Sequence, residues 1–350
     1  MSALRVGVIG CGMQGQNHLE AFAAFDDVEI AAIADLDRRR VEEVGERFAV
    51  ERRCSDPREL LGLGLDLVSV CTMPNSHREL VVGAFEAGSH VLCEKPLARD
   101  AAEGAEMVRA AEHADRLLIV GFNMRYMGAT TAVRRFMQDG SLGDLVCARG
   151  FMNADDVPWW GKHYVREVSG GGALNASAVH MVDLLLWLAG NPRPLTASAS
   201  MATVFPRKRA HGAPPGAAEA YDTEDVLFGH VRCEGGFWFS LEGSWMNDRS
   251  GLDYSFDAIG TRGQAHLQPL ELYSERDGAV VRLDEGVSTE PDWQASWAPQ
   301  LHDAVEAVRT GRVPEQLATG RQALTVQALV DALYRSAREG REVAVAVPDV

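Results

Sequence analysis

Residues 4–15 decide the fold and read LRVGVIGCGMQG. The first half is a short run of apolar and β-branched residues that predicts a buried strand, and the second half has the spacing G-x-G-x-x-G. Glycines at these positions permit a tight turn, let the backbone approach a pyrophosphate, and let the following helix pack closely on the strand. We therefore predict a dinucleotide-binding turn formed by Gly10, Gly12, Met13, Gln14 and Gly15.

The next apolar run and the residue after it distinguish between NAD and NADP as cofactor. Residues 28–34 read VEIAAIA, and Asp35 follows them about 20 residues after the glycine turn, as the dinucleotide fingerprint requires. A carboxylate there binds the ribose hydroxyls of the adenosine and repels the additional phosphate of NADP. Arg38 and Arg39 follow closely and could offset that repulsion. The residues therefore favour NAD over NADP.

The pattern of apolar runs divides the 350 residues into two parts. From residue 4 to about residue 120, short apolar runs alternate with helical stretches, which indicates a doubly wound α/β fold with a parallel sheet. Beyond residue 125, helices and alternating strands indicate an α+β domain with a large, mostly antiparallel, open-faced sheet. We predict a Rossmann domain over residues 1–124 and a substrate-binding and oligomerisation domain over residues 125–350.

The second sheet needs a cover on its apolar face. The residues that indicate this face are Leu227, Val231, Phe237, Phe239 and Leu241. We expect a second copy of the chain to pack there, sheet on sheet, in a homodimer or homotetramer.

Charge and cysteine usage narrow the function classes. The formal net charge of −16, from 50 acidic and 34 basic residues, disfavours nucleic acid and anionic membranes as partners. It serves either solubility or attraction of a cationic substrate. Six scattered cysteines without a CxxC pair indicate a reducing compartment, with neither a disulfide framework nor a metal site. The chain opens on a strand with no signal-peptide pattern, and no apolar run approaches a membrane span, so we expect a cytoplasmic protein.

Several ordered motifs are more specific than the glycine turn. Residues 66–98 read DLVSVCTMPNSHRELVVGAFEAGSHVLCEKPLA and end in a Glu-Lys-Pro segment. GFNMRY (Gly121–Tyr126), GGGALNASAVHMVDLLLWLAG (Gly170–Gly190) and ATGRQAL (Ala318–Leu324) follow in order. Over essentially the whole chain, these motifs resemble the glucose-fructose oxidoreductase, inositol dehydrogenase and rhizopine-catabolism superfamily.

The resemblance implies the same two-domain fold, with catalysis in the cleft between the domains. It also implies a cis Lys95–Pro96 peptide bond and a cofactor-contacting loop after the fourth strand. We therefore extend the expected cofactor contacts to Thr72, Asn75, His77, Glu94 and Lys95.

Dehydrogenation of a secondary alcohol needs a group that accepts the hydroxyl proton and a group that holds the carbinol. The resemblance implies that Lys95 orients the reacting hydroxyl and the nicotinamide ribose. His180 follows a glycine-rich entry to a predicted helix, and its ordinary pKa of about 6.5 suits proton transfer near neutrality. We predict Lys95 and His180 as the catalytic residues, with Asp183 as a partner that orients the helix.

One position departs from the family pattern. Many relatives carry Asp or Asn four residues before the catalytic histidine, whereas this chain has Ala176. Asn175 or Ser177 could contact substrate in its place, and the identity of the proton acceptor depends on this difference.

Polar and aromatic residues near the motifs are candidates for the substrate pocket, although each could equally belong to an ordinary loop or core. Aromatic faces combined with amides and acids suit polyol recognition, so residues 153–162 are the preferred specificity segment. The candidates are Asn123, Arg125, Tyr126, Asn153, Asp155, Asp156, Trp159, Trp160, Lys162, Asn175, Ser177 and Tyr254.

Three functions are compatible with these residues. The first is NAD-dependent oxidation of a ring secondary hydroxyl of a sugar, an amino sugar such as an aminoglycoside unit, or a cyclitol. The second is redox-assisted glycoside hydrolysis, in which the cofactor oxidises the sugar only transiently. The third is a non-catalytic sugar or dinucleotide sensor, which would need neither Lys95 nor His180.

Overall fold

The computed structural model describes residues 3–205, 212–247, 253–290 and 292–350, and it contains two sheets. The first has six strands in the order β3-β2-β1-β4-β5-β6, all parallel. These are β1 (Leu4–Ile9), β2 (Val28–Ala34), β3 (Arg53–Cys54), β4 (Leu67–Val70), β5 (His90–Cys93) and β6 (Leu118–Val120). The connecting helices are α1 (Met13–Phe22), α2 (Arg38–Arg47), α3 (Pro57–Leu61), α4 (Pro74–Glu86) and α5 (Ala101–Ala114). The predicted Rossmann fold is confirmed.

The strand order reverses at β1, which pairs with β2 on one side and with β4 on the other. The loops after β1 and β4 therefore leave in opposite directions and open a crevice at the carboxyl ends of the strands. The glycine turn follows β1, Thr72 follows β4, and Lys95 follows β5, so the sheet brings these residues to one edge.

The second sheet has nine strands in the order β14-β13-β12-β11-β7-β10-β9-β8-β15. Its strands are β7 (Leu145–Asn153), β8 (Pro194–Ala202), β9 (Val226–Cys233), β10 (Trp238–Ser244), β11 (Asp253–Gly260), β12 (Gly263–His266), β13 (Glu271–Arg276), β14 (Ala279–Arg282) and β15 (Val343–Ala344). Among the described strands of this second sheet, only the β7–β10 pair is parallel, so the predicted mostly antiparallel sheet is confirmed. The accompanying helices are α6 (Gly128–Gln138), α7 (Arg166–Ser169), α8 (Val179–Leu188), α9 (Ala217–Ala220), α10 (Trp297–Thr310) and α11 (Gly320–Glu339).

Local sequence sets where several helices begin. The Asp37 side chain caps α2 and accepts hydrogen bonds from two backbone N–H groups of its first turn, and the Asp100 side chain caps α5 and accepts one. Helix α11 begins with a capping box between Thr319 and Gln322. Gly12 at the start of α1 supplies no such side-chain cap, which leaves that helix N-terminus open to a ligand.

The apolar face of the second sheet is covered within the chain. Leu227, Val231, Phe239 and Leu241 are fully buried, because α8 and α11 lie over them. For example, a Cβ on Gly229 would lie 3.1 Å from Leu333 of α11. The residues that we assigned to an oligomer contact are therefore core residues. The opposite face of the sheet exposes Phe228 and Trp238, and it is the face that remains available to another copy.

Helix α10 lies in the second part of the sequence but packs on the first sheet. Leu301 shares a core with Leu19 and Phe22 of α1, and the backbone N–H of Val120 donates to the carbonyl of Ala318. The chain after residue 125 thus returns to the Rossmann half. The domain boundary at residue 124 stays a prediction.

The stretch Arg166–Leu188 has the length and hydropathy of a membrane span, which the sequence reading did not anticipate. It consists of α7, a segment of π-helix at Ala173–Ala178, and α8. Of its most apolar window, 94% is buried inside the protein, as is typical of a core helix.

A buried ion pair ties α8 to the strand edge of the first sheet. Arg125, in a 3-10 turn after β6, donates from Nε and Nη2 to the Asp183 carboxylate at 2.8 and 2.6 Å. Both side chains are only 1% exposed, and Arg125 also donates to Gln322 of α11. Three elements are therefore fixed by one guanidinium.

We expect Asp183→Asn to lower the free energy of unfolding by roughly 3–5 kcal/mol, because it leaves the buried Arg125 charge without its partner. Urea unfolding followed by tryptophan fluorescence measures this change. Glu20→Gln is the matched control, since it breaks the exposed pair with Arg47 and should change stability by less than about 1 kcal/mol. Equal losses in the two variants would contradict the assigned role of the buried pair.

Candidate functional site

A cleft of about 1380 Å³ lies where the loops after β1 and β4 diverge. It runs from Asp35 at one end to Lys95 and the Trp160–Lys162 turn at the other. The sequence-predicted residues that line it are Gly10, Gly12, Met13, Gln14, Asp35, Thr72, Asn75, Glu94, Lys95, Trp160 and Lys162.

The glycine turn has the geometry that a pyrophosphate requires. A Cβ on Gly15 would lie 1.8 Å from the carbonyl oxygen of Gly10, so α1 packs against the turn only because residue 15 is glycine. Gly10 has φ +95°, a left-handed conformation, and a Cβ on it would lie 2.6 Å from the carbonyl oxygen of Cys71. Around Gly12, in contrast, a Cβ would meet nothing within 4 Å. The backbone is therefore open at the N-terminus of α1, where an anion is favoured.

The Asp35 carboxylate is held in place at the other end of the cleft. Its oxygens accept hydrogen bonds from the backbone N–H groups of Cys11 at 2.8 Å and Asp37 at 2.9 Å. Arg40 lies 3.3 Å from the carboxylate, whereas Arg39, which we expected to reach this site, pairs with Glu43. The carboxylate can accept from ribose hydroxyls, and Arg40 is the cation beside it.

Lys95 connects the two halves of the molecule. Its Nζ donates a hydrogen bond of 2.9 Å to the backbone carbonyl of Ala176, in the π-helical segment before α8. Burial lowers the pKa of Lys95, and the charge of Glu94 only partly opposes that shift. The Lys95–Pro96 peptide bond is cis, as the resemblance implied.

Glu94 is held by a histidine that we did not select from the sequence. His18 pairs through Nε2 with Glu94 at 3.0 Å and through Nδ1 with Ser69 at 2.7 Å. Burial opposes the charge on His18, but Cys71 and Glu94 outweigh it and raise its pKa to about 10. Burial likewise would raise the pKa of Glu94, but His18 lowers it instead. The signal for His18 was its place on α1, three residues after the glycine turn.

His180 lies in an aromatic enclosure and not on the open cleft. The rings of Phe122, Tyr254 and Trp293 surround it at centroid distances of 6.1, 5.9 and 5.1 Å. Neither ring nitrogen has a hydrogen-bond partner among the residues that the structure describes. Burial, and then the charge of Lys95, lowers the pKa of His180 well below its ordinary value, so the imidazole is held in its neutral form. The sequence reading missed Trp293, which stacks on Tyr254 at 5.5 Å.

A second histidine near Lys95 was also missed. His163 lines the cleft, is 6% exposed, and has no partner on either ring nitrogen within the described part of the chain. It directly follows the specificity segment 153–162, so it lay one residue beyond the range that we selected.

Several predicted site residues use their polar groups inside the fold. His77 is fully buried and lies within hydrogen-bond distance of the carbonyls of Thr72, Pro96 and Leu97. It therefore supports the loop that carries Lys95 and does not line the cleft. Arg125 is committed to Asp183, so the proposed substrate contact of Arg125 is replaced by a structural one.

The predicted site residues with amide or hydroxyl side chains also form hydrogen bonds within the fold. Asn123 donates to Ser296, and Asn175 donates to the carbonyl of Ser169 and accepts from Gln327. Tyr126 donates to Asp303, and the Ser177 hydroxyl accepts from Trp245. Long-range partners, invisible in the sequence, account for each of these differences.

The remaining candidates lie in or near the loop that contains Trp159 and Trp160. Asn153 ends β7, Asp155 is half-buried in the following turn, and Asp156 accepts a hydrogen bond from the indole of Trp159. Burial raises the pKa of Tyr254 to about 12, although its hydrogen bond with Ser177 opposes the shift. In the described part of the chain, no three histidine, cysteine or acidic side chains are grouped as metal ligands.

Comparisons with known proteins agree with this geometry. Residues 4–122 match a family model described as "Oxidoreductase family, NAD-binding Rossmann fold", and residues 130–266 match the "GFO/IDH/MocA C-terminal domain". The chain is 28% identical to D-glucoside 3-dehydrogenase of Escherichia coli (strain K12), over 98% of this chain and 97% of that protein. It is 30% identical to a D-apiose dehydrogenase of Paraburkholderia graminis, over 96% and 88% of the two chains.

The fold also matches a crystal structure of a protein from gentamicin A biosynthesis in complex with NAD. The TM-score is 0.82 with 25% identity, over 99% of this chain and 97% of that one. Together with the open glycine turn and Asp35, these similarities identify NAD as the cofactor class.

We expect Asp35→Ser to weaken NAD binding by about tenfold and to strengthen NADP binding, because it removes the ribose acceptor and frees Arg40 for the additional phosphate. Dissociation constants for both cofactors, from protein fluorescence titration, measure the change. Asp37→Ser is the control, since Ser retains the cap of α2 and leaves Asp35 in place. An unchanged preference in Asp35→Ser would rule out this role of the carboxylate.

Proposed function

The chain belongs to the GFO/IDH/MocA oxidoreductase family, and from that membership we propose that it oxidises a ring secondary hydroxyl of a sugar, amino sugar or cyclitol to a ketone. One observation carries the proposal. Lys95 lies at one end of the dinucleotide cleft, and the buried, neutral His180 behind it is close enough for the lysine charge to act on its imidazole and has no hydrogen-bond partner among the described residues.

The residues support a simple division of roles. NAD, when bound, accepts the hydride from the carbinol carbon. The Lys95 ammonium holds the carbinol oxygen, and a ring nitrogen of His180 accepts the hydroxyl proton as the carbonyl forms. The Ala176 carbonyl keeps Nζ in position by hydrogen bonding, and Glu94 fixes the backbone of Lys95 at 3.2 Å.

Aromatic surfaces favour a carbohydrate-like substrate. Trp160 is 53% exposed on the cleft, and Trp293 stacks on Tyr254 beside His180. Flat aromatic rings next to hydrogen-bonding groups suit the apolar faces of a sugar ring. The similarity of the chain to a D-glucoside 3-dehydrogenase and a D-apiose dehydrogenase supports this substrate class.

An aminated sugar is the finer part of the proposal. The net charge of −16 and the neighbouring Asp155 and Asp156 favour a cationic substrate, and the similarity to a protein of gentamicin A biosynthesis supports it.

For localisation and oligomeric state, we propose a cytoplasmic homodimer or homotetramer that associates through the outer face of the second sheet.

We expect Lys95→Met and His180→Asn each to lower kcat at least 100-fold, because each removes a group that contacts the reacting hydroxyl. NADH absorbance is followed with methyl glucosides, apiose, myo-inositol and paromamine, and NAD affinity is measured in parallel. His113→Asn is the matched control for His180→Asn, because His113 is exposed on α5 and does not line the cleft. Wild-type cleavage of glycosides without net NADH would indicate the hydrolase, and tight NAD binding without turnover would indicate the sensor.

The pH dependence follows from the two shifted groups. Oxidation needs neutral His180, whose pKa is well below 6.5, so kcat/KM should stay constant as the pH falls to 6.5 and decline only in more acidic solution. It also needs protonated Lys95, whose lowered pKa places the alkaline decline below pH 10.5. A pH profile of kcat/KM at saturating NAD tests both limbs. An acidic limb centred at or above pH 6.5 would contradict the role of His180.

A further inference from the structure

Four histidines are buried in the described part of the chain, and they fall into two pairs. His18 and His77 have hydrogen-bond partners at both ring nitrogens. His163 and His180 have none at either nitrogen. Buried polar groups without partners are rare in native folds, and each calls for a physical reason such as a catalytic role or a bound water or ion. The pattern therefore separates two histidines that support the fold from two whose hydrogen bonds remain to be made.

His163 lies at the same end of the cleft as Lys95. It follows the Trp160–Lys162 turn, and the Trp160 ring stands edge-on to it at 4.5 Å and 83°. Burial, with a smaller contribution from the Lys95 charge, lowers the pKa of His163 to about 3. The imidazole is therefore neutral at physiological pH, with one N–H donor and one nitrogen acceptor. That combination matches a hydroxyl group, which also donates one hydrogen bond and accepts others.

The segment around Ala176 contributes little side-chain hydrogen bonding beside Lys95. The side chain at this position has no hydrogen-bonding group, and the neighbouring Asn175 and Ser177 are engaged with Ser169, Gln327 and Trp245. The side chains of this segment therefore offer few free hydrogen-bonding groups to a ligand beside Lys95. His163 approaches Lys95 from a different element, the loop after β7.

We propose that His163 binds a second substrate hydroxyl, adjacent to the carbon that is oxidised, so that the enzyme selects substrates with two neighbouring hydroxyl groups. This inference rests on the proposed function. Lys95 and His180 contact the reacting oxygen, and His163 contacts the next one. Trp160, edge-on to His163, forms the apolar wall against which the ring of the sugar lies.

The test compares His163→Leu, which fills a similar volume but has no hydrogen-bonding group, with His163→Gln, whose amide can replace the hydrogen bonds of the imidazole. His302→Gln is the control, because that histidine is 60% exposed on α10 and outside the cleft. The probes are methyl β-D-glucopyranoside and its 2-deoxy, 3-deoxy and 4-deoxy analogues. Binding to the NADH complex is measured by calorimetry, and kcat/KM is measured with NAD.

We expect wild-type enzyme and His302→Gln to bind one deoxy analogue roughly 10- to 100-fold more weakly than the parent glucoside, as for a lost buried hydrogen bond. His163→Leu should bind the parent glucoside more weakly by the same factor and should bind that deoxy analogue no more weakly than the parent. His163→Gln should restore most of the affinity for the parent glucoside. His163→Leu should also unfold at an equal or higher temperature, because an unsatisfied polar group has been removed. A structural role of His163 would instead lower that temperature.

The inference is overturned if His163→Leu discriminates among the analogues as wild-type enzyme does, or if wild-type enzyme does not discriminate. Its failure is distinct from failure of the proposed function. Discrimination in binding that depends on His163, without any oxidation of the sugar, would refute the dehydrogenase and retain this role. Oxidation that does not depend on His163 would do the reverse.

Discussion

The geometry of the site depends on the buried pair between Arg125 and Asp183. Arg125 follows the last strand of the Rossmann sheet, and Asp183 lies one helical turn after His180 on α8. A bidentate ion pair fixes both distance and orientation, which a purely apolar contact does not. The hydrogen bond from Lys95 to the Ala176 carbonyl adds a second connection at the start of the same helical segment. His180 is therefore held relative to Lys95 by two polar contacts between elements far apart in the sequence.

The site also combines satisfied and unsatisfied polar groups. Glu94, His18 and Ser69 form a connected buried network, which makes the segment before Lys95 rigid. His163 and His180 instead retain unused hydrogen-bonding capacity among aromatic rings, at a cost to stability. Natural folds accept such costs mainly at functional positions. A rigid frame around two neutral imidazoles is consistent with a site that is completed by its substrate.

Local patterns in the sequence predicted the first sheet, the glycine turn and the positions of Asp35 and Lys95, because each depends on a strand and the loop that follows it. These patterns could not predict which polar side chains form hydrogen bonds or ion pairs inside the fold. Arg125, His77 and Asn175 were candidates for binding, but partners more than five residues away engage all three. The same limit applies to the apolar face of the second sheet, since its covering helix α11 begins about 80 residues after β10 begins. Nothing in the local pattern distinguished His163 from an ordinary loop residue.

The acceptor for Lys95 is a main-chain carbonyl, and this has an evolutionary consequence. A carbonyl is present whatever side chain occupies position 176, so substitutions there leave the anchor of the lysine intact. That position can accumulate changes in size and polarity while the chemistry of the lysine persists. The placement of the lysine is therefore inherited from the path of the main chain and not from the identity of one side chain.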